Sequence, residues 1–198
     1  MSAATVSDDE LYDRYLQRAI RELNELWREL AALSDEMHVP VLGTGHPLPD
    51  VFLLKHAPVA SEIAEGVAFF GRAGQALIKS MTRLEVDATS VYGTNCLKFG
   101  TEEPELARGW LTRELHITHP KLLVVMGEQA VTFLASLDFP LSQPLDATRT
   151  GEIQRFTPSI EALVTPDIDA SLDEADAKNR FWEAFRELGP WWRALPPF

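Results

Sequence analysis

The hydrophobic positions of this chain follow two different patterns. From Asp8 to about Glu36, apolar residues recur every three to four positions with Arg and Glu between them, which predicts a long amphipathic helix. Ser7 followed by Glu10 is a capping-box signature at its start. After a connector rich in Pro and Gly, short continuous apolar runs predict strands that are covered on both faces.

The predicted strands alternate with predicted helices over the rest of the chain. Strands are predicted at residues 51–54, 90–95, 121–126, 153–156 (a short edge strand) and 162–165, and helices at about 71–84, 104–117, 128–134 and 172–188. Such alternation implies right-handed crossovers and a parallel sheet with helices on both faces. We therefore predict an α/β fold, a three-layer αβα sandwich around a central, mostly parallel four-stranded sheet.

Composition limits the number of domains and the class of protein. A chain of 198 residues with 45% hydrophobic content can bury one sizeable core. We expect residues 1–38 to form a helix packed on a single globular unit at residues 39–198. No apolar run is as long as a membrane span, and the N-terminus lacks a signal-peptide pattern, so a cytoplasmic protein is expected. One cysteine, Cys96, excludes an intramolecular disulfide framework.

The charge balance argues against tight binding of a polyanion. The net charge is −12 at pH 7, and an acidic protein must concentrate Lys and Arg on one face to gain phosphate contacts. The candidate cations are scattered along the chain rather than clustered in sequence: Lys55, Arg72, Lys79, Arg83 and Lys98. The charge disfavours tight binding of a polyanion without excluding it.

The most informative stretch runs from Val51 to Leu77. It predicts a buried strand, a loop and then a helix, so the loop should lie at the carboxyl end of the strand, where open α/β sheets place their ligands. The positions that form a recognisable motif are, in order, Ala57, Pro58, Glu62, Gly66, Phe69, Gly71 and Gly74.

These positions resemble the first motif of the uracil-DNA glycosylase superfamily, in particular of its iron–sulfur branch. That branch has Gly-Glu-Ala-Pro-Gly, then Glu-Asp, then Gly-x-Pro-Phe-x-Gly-x-x-Gly, and the seven residues match it in order and spacing without a gap. Lys55, His56, Val59 and Ala68 depart from it. The resemblance extends over about residues 42–135, with a weaker continuation to residue 172.

The resemblance implies a pocket for a nucleobase flipped out of DNA. Phe69 matches the family's stacking Phe, and Ala57 and Pro58 match residues beside the base. Asn95 matches the Asn whose amide can pair with both a carbonyl and an imide N–H of uracil. The implied partner is DNA containing uracil or another deaminated base. The implied reaction is hydrolysis of the N-glycosidic bond by a monofunctional route.

The catalytic positions differ from the family pattern. His56 stands where the motif has Glu, and Thr165-Pro166-Asp167 corresponds to the family's late His-Pro-Ser. One hypothesis is an exchange of roles, in which His56 is the electrophile and either Asp167 or Glu62 is the carboxylate. Thr165 can donate one hydrogen bond but cannot bear a positive charge. The candidate catalytic residues are thus His56, Glu62, Thr165 and Asp167, and Lys55, Arg72 and Lys98 are weak candidates for DNA-backbone contacts.

The branch's metal cluster is not expected here. Two of the family's cysteines precede the Leu42 region, where this chain has none, and the other two fall on Phe99 and Ala107. One thiol cannot hold a cluster that needs about four, so we predict no cofactor and no metal. Apolar packing of Phe99, Trp110 and the N-terminal helix should replace the cluster as a structural support.

An alternative metal site uses His46, His56, His116 and His119 with Asp50, but the spacing matches no recognisable zinc motif.

Two other functions remain open from the sequence. The acidic balance and the altered catalytic positions favour a catalytically silent relative that binds a nucleobase, nucleotide or protein partner. A generic small-molecule hydrolase rests only on the geometry expected at the strand ends. The apolar tail from Trp191 to Phe198 should lie on the domain surface, where it is a candidate contact for a protein partner.

Overall fold

The computed structural model of the protein describes residues 7–34 and 39–196. Strands and helices alternate along most of the chain, as the hydrophobic pattern predicts. In chain order the elements are α1 (Asp8–Ala32), β1 (Thr44–Gly45), β2 (Val51–Lys55), α2 (Ala60–Glu65), α3 (Arg72–Arg83), a 3₁₀ turn (Ala88–Ser90), β3 (Val91–Asn95), α4 (Pro104–Thr118), β4 (Leu122–Met126), α5 (Glu128–Ala135), β5 (Ile153–Arg155), β6 (Glu161–Thr165), α6 (Ala175–Phe185) and α7 (Leu188–Arg193).

The strands form one six-stranded mixed sheet in the order β1-β3-β2-β4-β6-β5. The four inner strands are parallel to one another, and the short outer strands β1 and β5 run antiparallel to their neighbours. The α/β prediction is confirmed, while the four-stranded sheet is corrected to six strands. The sequence predicted β5 as an edge strand, but β1 is too short to show a period of its own.

Each face of the sheet covers a separate apolar core. Phe52, Leu54 and Val125 belong to the core on the side of α4 and α5. Leu53 and Val124, one position along the same strands, belong to the core on the side of α3 and α6. Successive strand residues point to opposite faces, so strands buried on both sides must be apolar throughout. The sheet is therefore the middle layer of three.

Helix α1 packs against α4. Leu26 and Leu30 form a buried cluster with Trp110 of α4, and Phe99 and Leu42 pack onto it. Ser7 caps α1 by accepting the Glu10 N–H at 3.2 Å, as the capping-box pattern predicts. The helix ends at Ala32, four residues before the predicted end, and the predicted boundary at residue 38 lies outside the described residues.

Two further elements differ from the sequence prediction. Residues 60–65, predicted as loop, form helix α2, because the Glu62 side chain accepts the Val59 N–H at 2.8 Å and stabilises the helix start. The single helix predicted at 172–188 is instead two, α6 and α7. Trp191 in α7 donates from Nε1 to Oε2 of Glu161 at 2.6 Å, so the described part of the tail lies on the domain, as predicted.

Candidate functional site

The last residues of the four parallel strands form a row across one edge of the sheet. Lys55 pairs in register with Asn95 on one side and Met126 on the other, and Met126 pairs with Thr165. Paired residues of neighbouring strands project to the same face, so the four side chains share the face covered by α3 and α6. In open α/β sheets this carboxyl edge is where ligands bind.

Asn95 has an unusual environment for a buried polar side chain. It is fully buried, and within the described part of the chain neither Nδ2 nor Oδ1 has a hydrogen-bond partner. Leaving a buried donor or acceptor unpaired costs about 1–3 kcal/mol, and native structures leave few such groups. The carboxamide therefore has one donor group and one acceptor that no described residue pairs.

Phe69 lies on the same side of the sheet and is held in a strained backbone conformation. Its φ is 60°, a region that a bulky side chain rarely adopts. A Cβ atom on Gly93 would lie 2.7 Å from Cδ2 of the Phe69 ring, and one on Gly74 would lie 2.1 Å from the Phe69 carbonyl oxygen. Both glycines are thus needed for the close approach of this residue. Gly93 precedes Asn95 by two positions on β3, which places ring and carboxamide on one side of the same strand.

A buried ion cluster lies next to the ring. The Lys55 side chain is 1% exposed, and its Nζ lies 2.7 Å from Oε2 of Glu62 and 2.6 Å from Oδ2 of Asp169. Glu62 also accepts the backbone N–H groups of Val59 and Phe69. The Lys55 ammonium is 5.6 Å from the centroid of the Phe69 ring. Glu62 is thus committed to Lys55 and to the loop backbone.

His56 and Asp167 form a second group at the same edge. His56 follows β2 and lines a cleft of about 500 Å³ with Arg108, and its ring meets that of Phe133 edge-on at 6.2 Å. Burial lowers the pKa of His56, and the Asp167 and Glu102 carboxylates oppose this shift. Asp167 also packs against the turn at Gly127. A Cβ atom added to Gly127 would lie 3.1 Å from the Cβ of Asp167.

The comparison with protein families agrees with this geometry. The sequence pattern described as the Uracil DNA glycosylase superfamily matches residues 42–189, about three quarters of the chain. The chain belongs to the uracil-DNA glycosylase superfamily. The match starts just before β1 and ends within α7, so it includes the whole sheet.

Curated relatives point to one branch of the superfamily. A Type-4 uracil-DNA glycosylase of Archaeoglobus fulgidus is 24% identical over 160 residues, which are 75% of this chain and 80% of the relative. Type-4 enzymes of Sulfurisphaera tokodaii and Pyrobaculum aerophilum are each 32% identical, over 107 and 95 residues. Those two alignments include 48% and 44% of this chain and 48% of each relative. The resemblance to the type-4 branch is confirmed.

The residues predicted for DNA-backbone contact lie in different environments in this superfamily member. Lys55 is buried in the ion cluster described above, and Lys98 is 0% exposed and paired with Glu114 at 2.5 Å. Neither side chain is accessible to phosphate, which corrects that expectation. Arg72 is exposed at the start of α3, where it pairs with Asp173 at 2.6 Å.

The predicted catalytic residues also lie in different environments. Of the two carboxylates predicted as alternatives, Asp167 lies near His56, whereas Glu62 is fully buried with Lys55. Thr165 is buried and donates to the Pro166 carbonyl at 3.0 Å. Pro58 lies close to the turn at Gly100, because a Cβ atom added to Gly100 would lie 3.8 Å from Cγ of Pro58. The roles of these residues, of Ala57 and of Asn95 remain predictions.

The donor set does not fit the iron–sulfur cluster that the branch implies. The sequence has one cysteine, Cys96, and it is buried, which raises the pKa of its thiol well above the ordinary value. Phe99, at a family cysteine position, packs instead on Trp110 with ring centroids 6.0 Å apart. Within residues 7–34 and 39–196, no group of three or more His, Cys, Asp or Glu side chains is placed to hold a metal ion.

Two members of the site were missed from the sequence. Asp169 closes the Lys55 cluster, and Glu114 pairs with Lys98. The available signal was a lysine directly after the apolar run Val51–Leu54, since a charge on a buried strand needs a partner. That signal does not show which carboxylate is the partner.

None of the helices in the described ranges is both long and apolar enough to cross a membrane.

Replacing Gly93 by Ala should displace the Phe69 ring. The new methyl group would lie 2.7 Å from Cδ2 and 2.9 Å from Cε2 of that ring, so the ring must move. We expect a loss of about 1–3 kcal/mol in the free energy of unfolding, the usual cost of overpacking, measured by urea denaturation. The matched control is Gly109→Ala in α4, where a Cβ meets nothing within 4 Å and the helix should gain about 0.5–1 kcal/mol. Equal effects of the two substitutions would contradict the packing of ring on strand.

Proposed function

We propose that this protein hydrolyses the N-glycosidic bond of uracil or a related deaminated base in DNA and leaves an abasic site. The observation that supports this most strongly is the buried Asn95 carboxamide, which has no partner among the described residues and lies on the same side of β3 as the Phe69 ring. An unpaired donor and acceptor side by side suit a base edge that offers the complementary pair. Membership in the superfamily and the type-4 relatives support the same substrate class.

Base recognition would use the two side chains together. The flipped base would stack on the ring of Phe69. Its Watson–Crick edge would then meet Asn95, with Nδ2 donating to a carbonyl oxygen and Oδ1 accepting an imide N–H. A hydrogen-bonding site of this kind rejects bases that cannot form both bonds, because buried polar groups would then remain unpaired.

Bond cleavage would use the second group. The bond between C1′ and the base nitrogen breaks, its electron pair leaves with the base, and the oxygen of a water molecule joins C1′. The neutral His56 imidazole can donate an N–H to the oxygen of the departing base anion, since burial lowers its pKa. The Asp167 carboxylate can accept the proton of the attacking water and stabilise the sugar cation. Thr165 and Glu62 would have supporting roles only.

A specific observation also favours a second candidate function, a silent relative that binds a base without cleaving it. Glu62, one of the two carboxylates predicted as alternatives, is fully buried and neutralised by Lys55, so Asp167 is the one of those two that remains for the chemistry. In addition, Lys55 and Lys98 are unavailable to DNA phosphate, and the protein has a net charge of −12. Base binding without cleavage would fit those features.

A glycosylase assay separates the two functions. Single-stranded and duplex oligonucleotides with one uracil would be incubated with the protein, and abasic sites would be detected by alkaline cleavage. Uracil-specific cleavage supports the enzyme. Binding of free uracil without cleavage, measured by calorimetry, supports the silent relative. Absence of both would refute the proposal that this is a base-binding site.

The His56→Asn variant should lose activity in a pH-dependent way. Because burial lowers the pKa of His56 below the ordinary value of about 6.5, the active neutral form persists at pH 7. Wild-type activity should fall only as the pH drops through the lowered pKa. We expect His56→Asn to reduce kcat at pH 7 by about 10²-fold and to remove that acid limb from the profile.

The matched control for this prediction is His119→Asn. His119 is exposed at the end of α4, at the opposite edge of the sheet, and its φ of 44° is one that Asn tolerates. Its kcat should stay within about twofold of wild type. An unchanged acid limb in His56→Asn would assign that limb to another group and remove His56 from the mechanism.

A further inference from the structure

Lys55 is an exceptional residue for its position. It ends a strand whose other four residues are buried and apolar, it is itself 1% exposed, and it replaces the first glycine of the motif discussed above. Removing an ammonium from water costs several kcal/mol unless partners compensate. A buried ammonium is tolerated only where well-placed partners compensate for its lost hydration.

The partners of Lys55 come from both sides of the sheet edge. Glu62 lies in α2, which follows β2, and its Oε2 is 2.7 Å from the Lys55 ammonium. Asp169 lies in the loop that follows β6, and its Oδ2 is 2.6 Å from the same atom. Strand β4 separates β2 from β6 in the sheet. The single ammonium therefore joins the two loops that border this edge.

The first of these contacts continues to the stacking ring. Glu62 accepts the backbone N–H of Phe69, the residue with a φ of 60°. The same ammonium lies 5.6 Å from the centroid of the Phe69 ring. Lys55 thus acts on Phe69 in two ways. It pairs with the Glu62 carboxylate that accepts the Phe69 N–H, and its ammonium lies over the face of the Phe69 ring.

A purely structural pair would not need the second carboxylate. One glutamate neutralises the lysine, whereas Lys55, Glu62 and Asp169 together have a net charge of −1. Asp169 is 25% exposed, so it forms the accessible end of an otherwise buried cluster. Its contact ties the loop after β6 to the same ammonium that lies 5.6 Å from the centroid of the Phe69 ring.

We infer that Lys55 is a positioning residue of the base site, which holds the Phe69 ring in place and ties the loop after β6 to it through Asp169. This inference rests on the proposed base-binding function. It assigns Lys55 no contact with the base and no contact with DNA phosphate. It predicts that breaking the Asp169 contact weakens base binding more than it slows the chemical step.

The test uses Asp169→Asn, which keeps the size of the side chain and leaves the Lys55–Glu62 pair intact. We expect KM for uracil-containing single-stranded DNA to rise about tenfold, with kcat within twofold. Without DNA, the Phe69 amide should exchange with deuterated water at least ten times faster, while amides of β4 keep their wild-type rates. The matched control is Asp173→Asn. Asp173 is an exposed carboxylate on the same segment as Asp169, it pairs with Arg72 of α3, and its substitution should change neither KM nor the Phe69 exchange rate.

A second variant tests the lysine itself. Lys55→Met should raise KM and Phe69 exchange at least as much as Asp169→Asn, and Lys55→Met/Glu62→Gln should restore the melting temperature but not KM. Should Lys55→Met fail to fold, Asp169→Asn decides. An unchanged Phe69 exchange rate in Asp169→Asn, or a fall in kcat with no change in KM, would overturn the inference. If the wild type cleaves no uracil DNA, the proposed enzyme fails, yet amide exchange and binding of free uracil still decide the role of Lys55.

Discussion

Lys98→Met should lower the free energy of unfolding by about 3–5 kcal/mol, the cost of leaving a buried charge without its partner. The Lys98 ammonium is 0% exposed and donates to Oε2 of Glu114 at 2.5 Å, to Oγ1 of Thr94 at 2.5 Å and to the Asn95 carbonyl at 2.8 Å. An ammonium has three donors, and all three are used. Without Lys98, Glu114 would remain buried with only the hydroxyls of Tyr92 and Thr94. Urea denaturation at pH 7 measures the loss.

Two variants control this prediction. Lys79→Met removes an exposed lysine from α3 and should change stability by less than about 0.5 kcal/mol. The double variant Lys98→Met/Glu114→Leu removes both charges and should recover most of the loss, because apolar replacement of a whole buried pair is often neutral. A stable Lys98→Met protein with weaker, less salt-dependent DNA binding would instead restore the original expectation of a phosphate contact.

Asn95→Ala should abolish most activity while leaving the fold nearly as stable as before. Its two amide atoms are buried and have no partner within residues 7–34 and 39–196, so their removal ends a desolvation cost of about 1–3 kcal/mol each. This gain offsets the cavity left by truncation, and we expect a net change below about 1 kcal/mol in the free energy of unfolding. Activity on uracil DNA should fall by about 10²- to 10³-fold, the usual loss for one preorganised hydrogen-bonding group.

The neighbouring residue is the matched control. Thr94 is equally buried, but its hydroxyl contacts Glu114 at 3.2 Å and accepts from Lys98. Thr94→Val should therefore lower the free energy of unfolding by about 1–3 kcal/mol. Denaturation and glycosylase assays on both variants make the comparison. A large loss of stability in Asn95→Ala, or full uracil cleavage by it, would show that the carboxamide is a structural group.

The alternation of strands and helices was enough to predict that Phe69 and Asn95 lie at the same edge of the sheet. Each follows or ends a parallel strand, and the carboxyl ends of such strands meet at one edge. The structure adds the reason that the ring fits there, since Gly93 leaves room for it. It also shows that the Asn95 carboxamide is fully buried and unpaired by any residue it describes, which no residue pattern indicates.

The environments of the charged residues could not be predicted in the same way. Lys55 and Lys98 looked like surface cations, and Glu62 looked like a catalytic carboxylate. All three are buried in pairs whose members lie as far as 114 positions apart in the chain, as Lys55 and Asp169 do. Such pairing depends on the distance between atoms in the folded chain, and the local sequence does not specify it. The same is true of His56, whose lowered pKa results from burial.

The sequence by itself determined the alternation of strands and helices and the apolar character of the inner strands, because hydrophobic periodicity is a local property of the chain. The tertiary structure alone decided which charges are buried, which carboxylates they pair with and which buried polar side chains have no partner in the described part of the chain. Those outcomes depend on how segments distant in the chain come together, since the free energy of a buried charge is set by the atoms within a few ångströms of it.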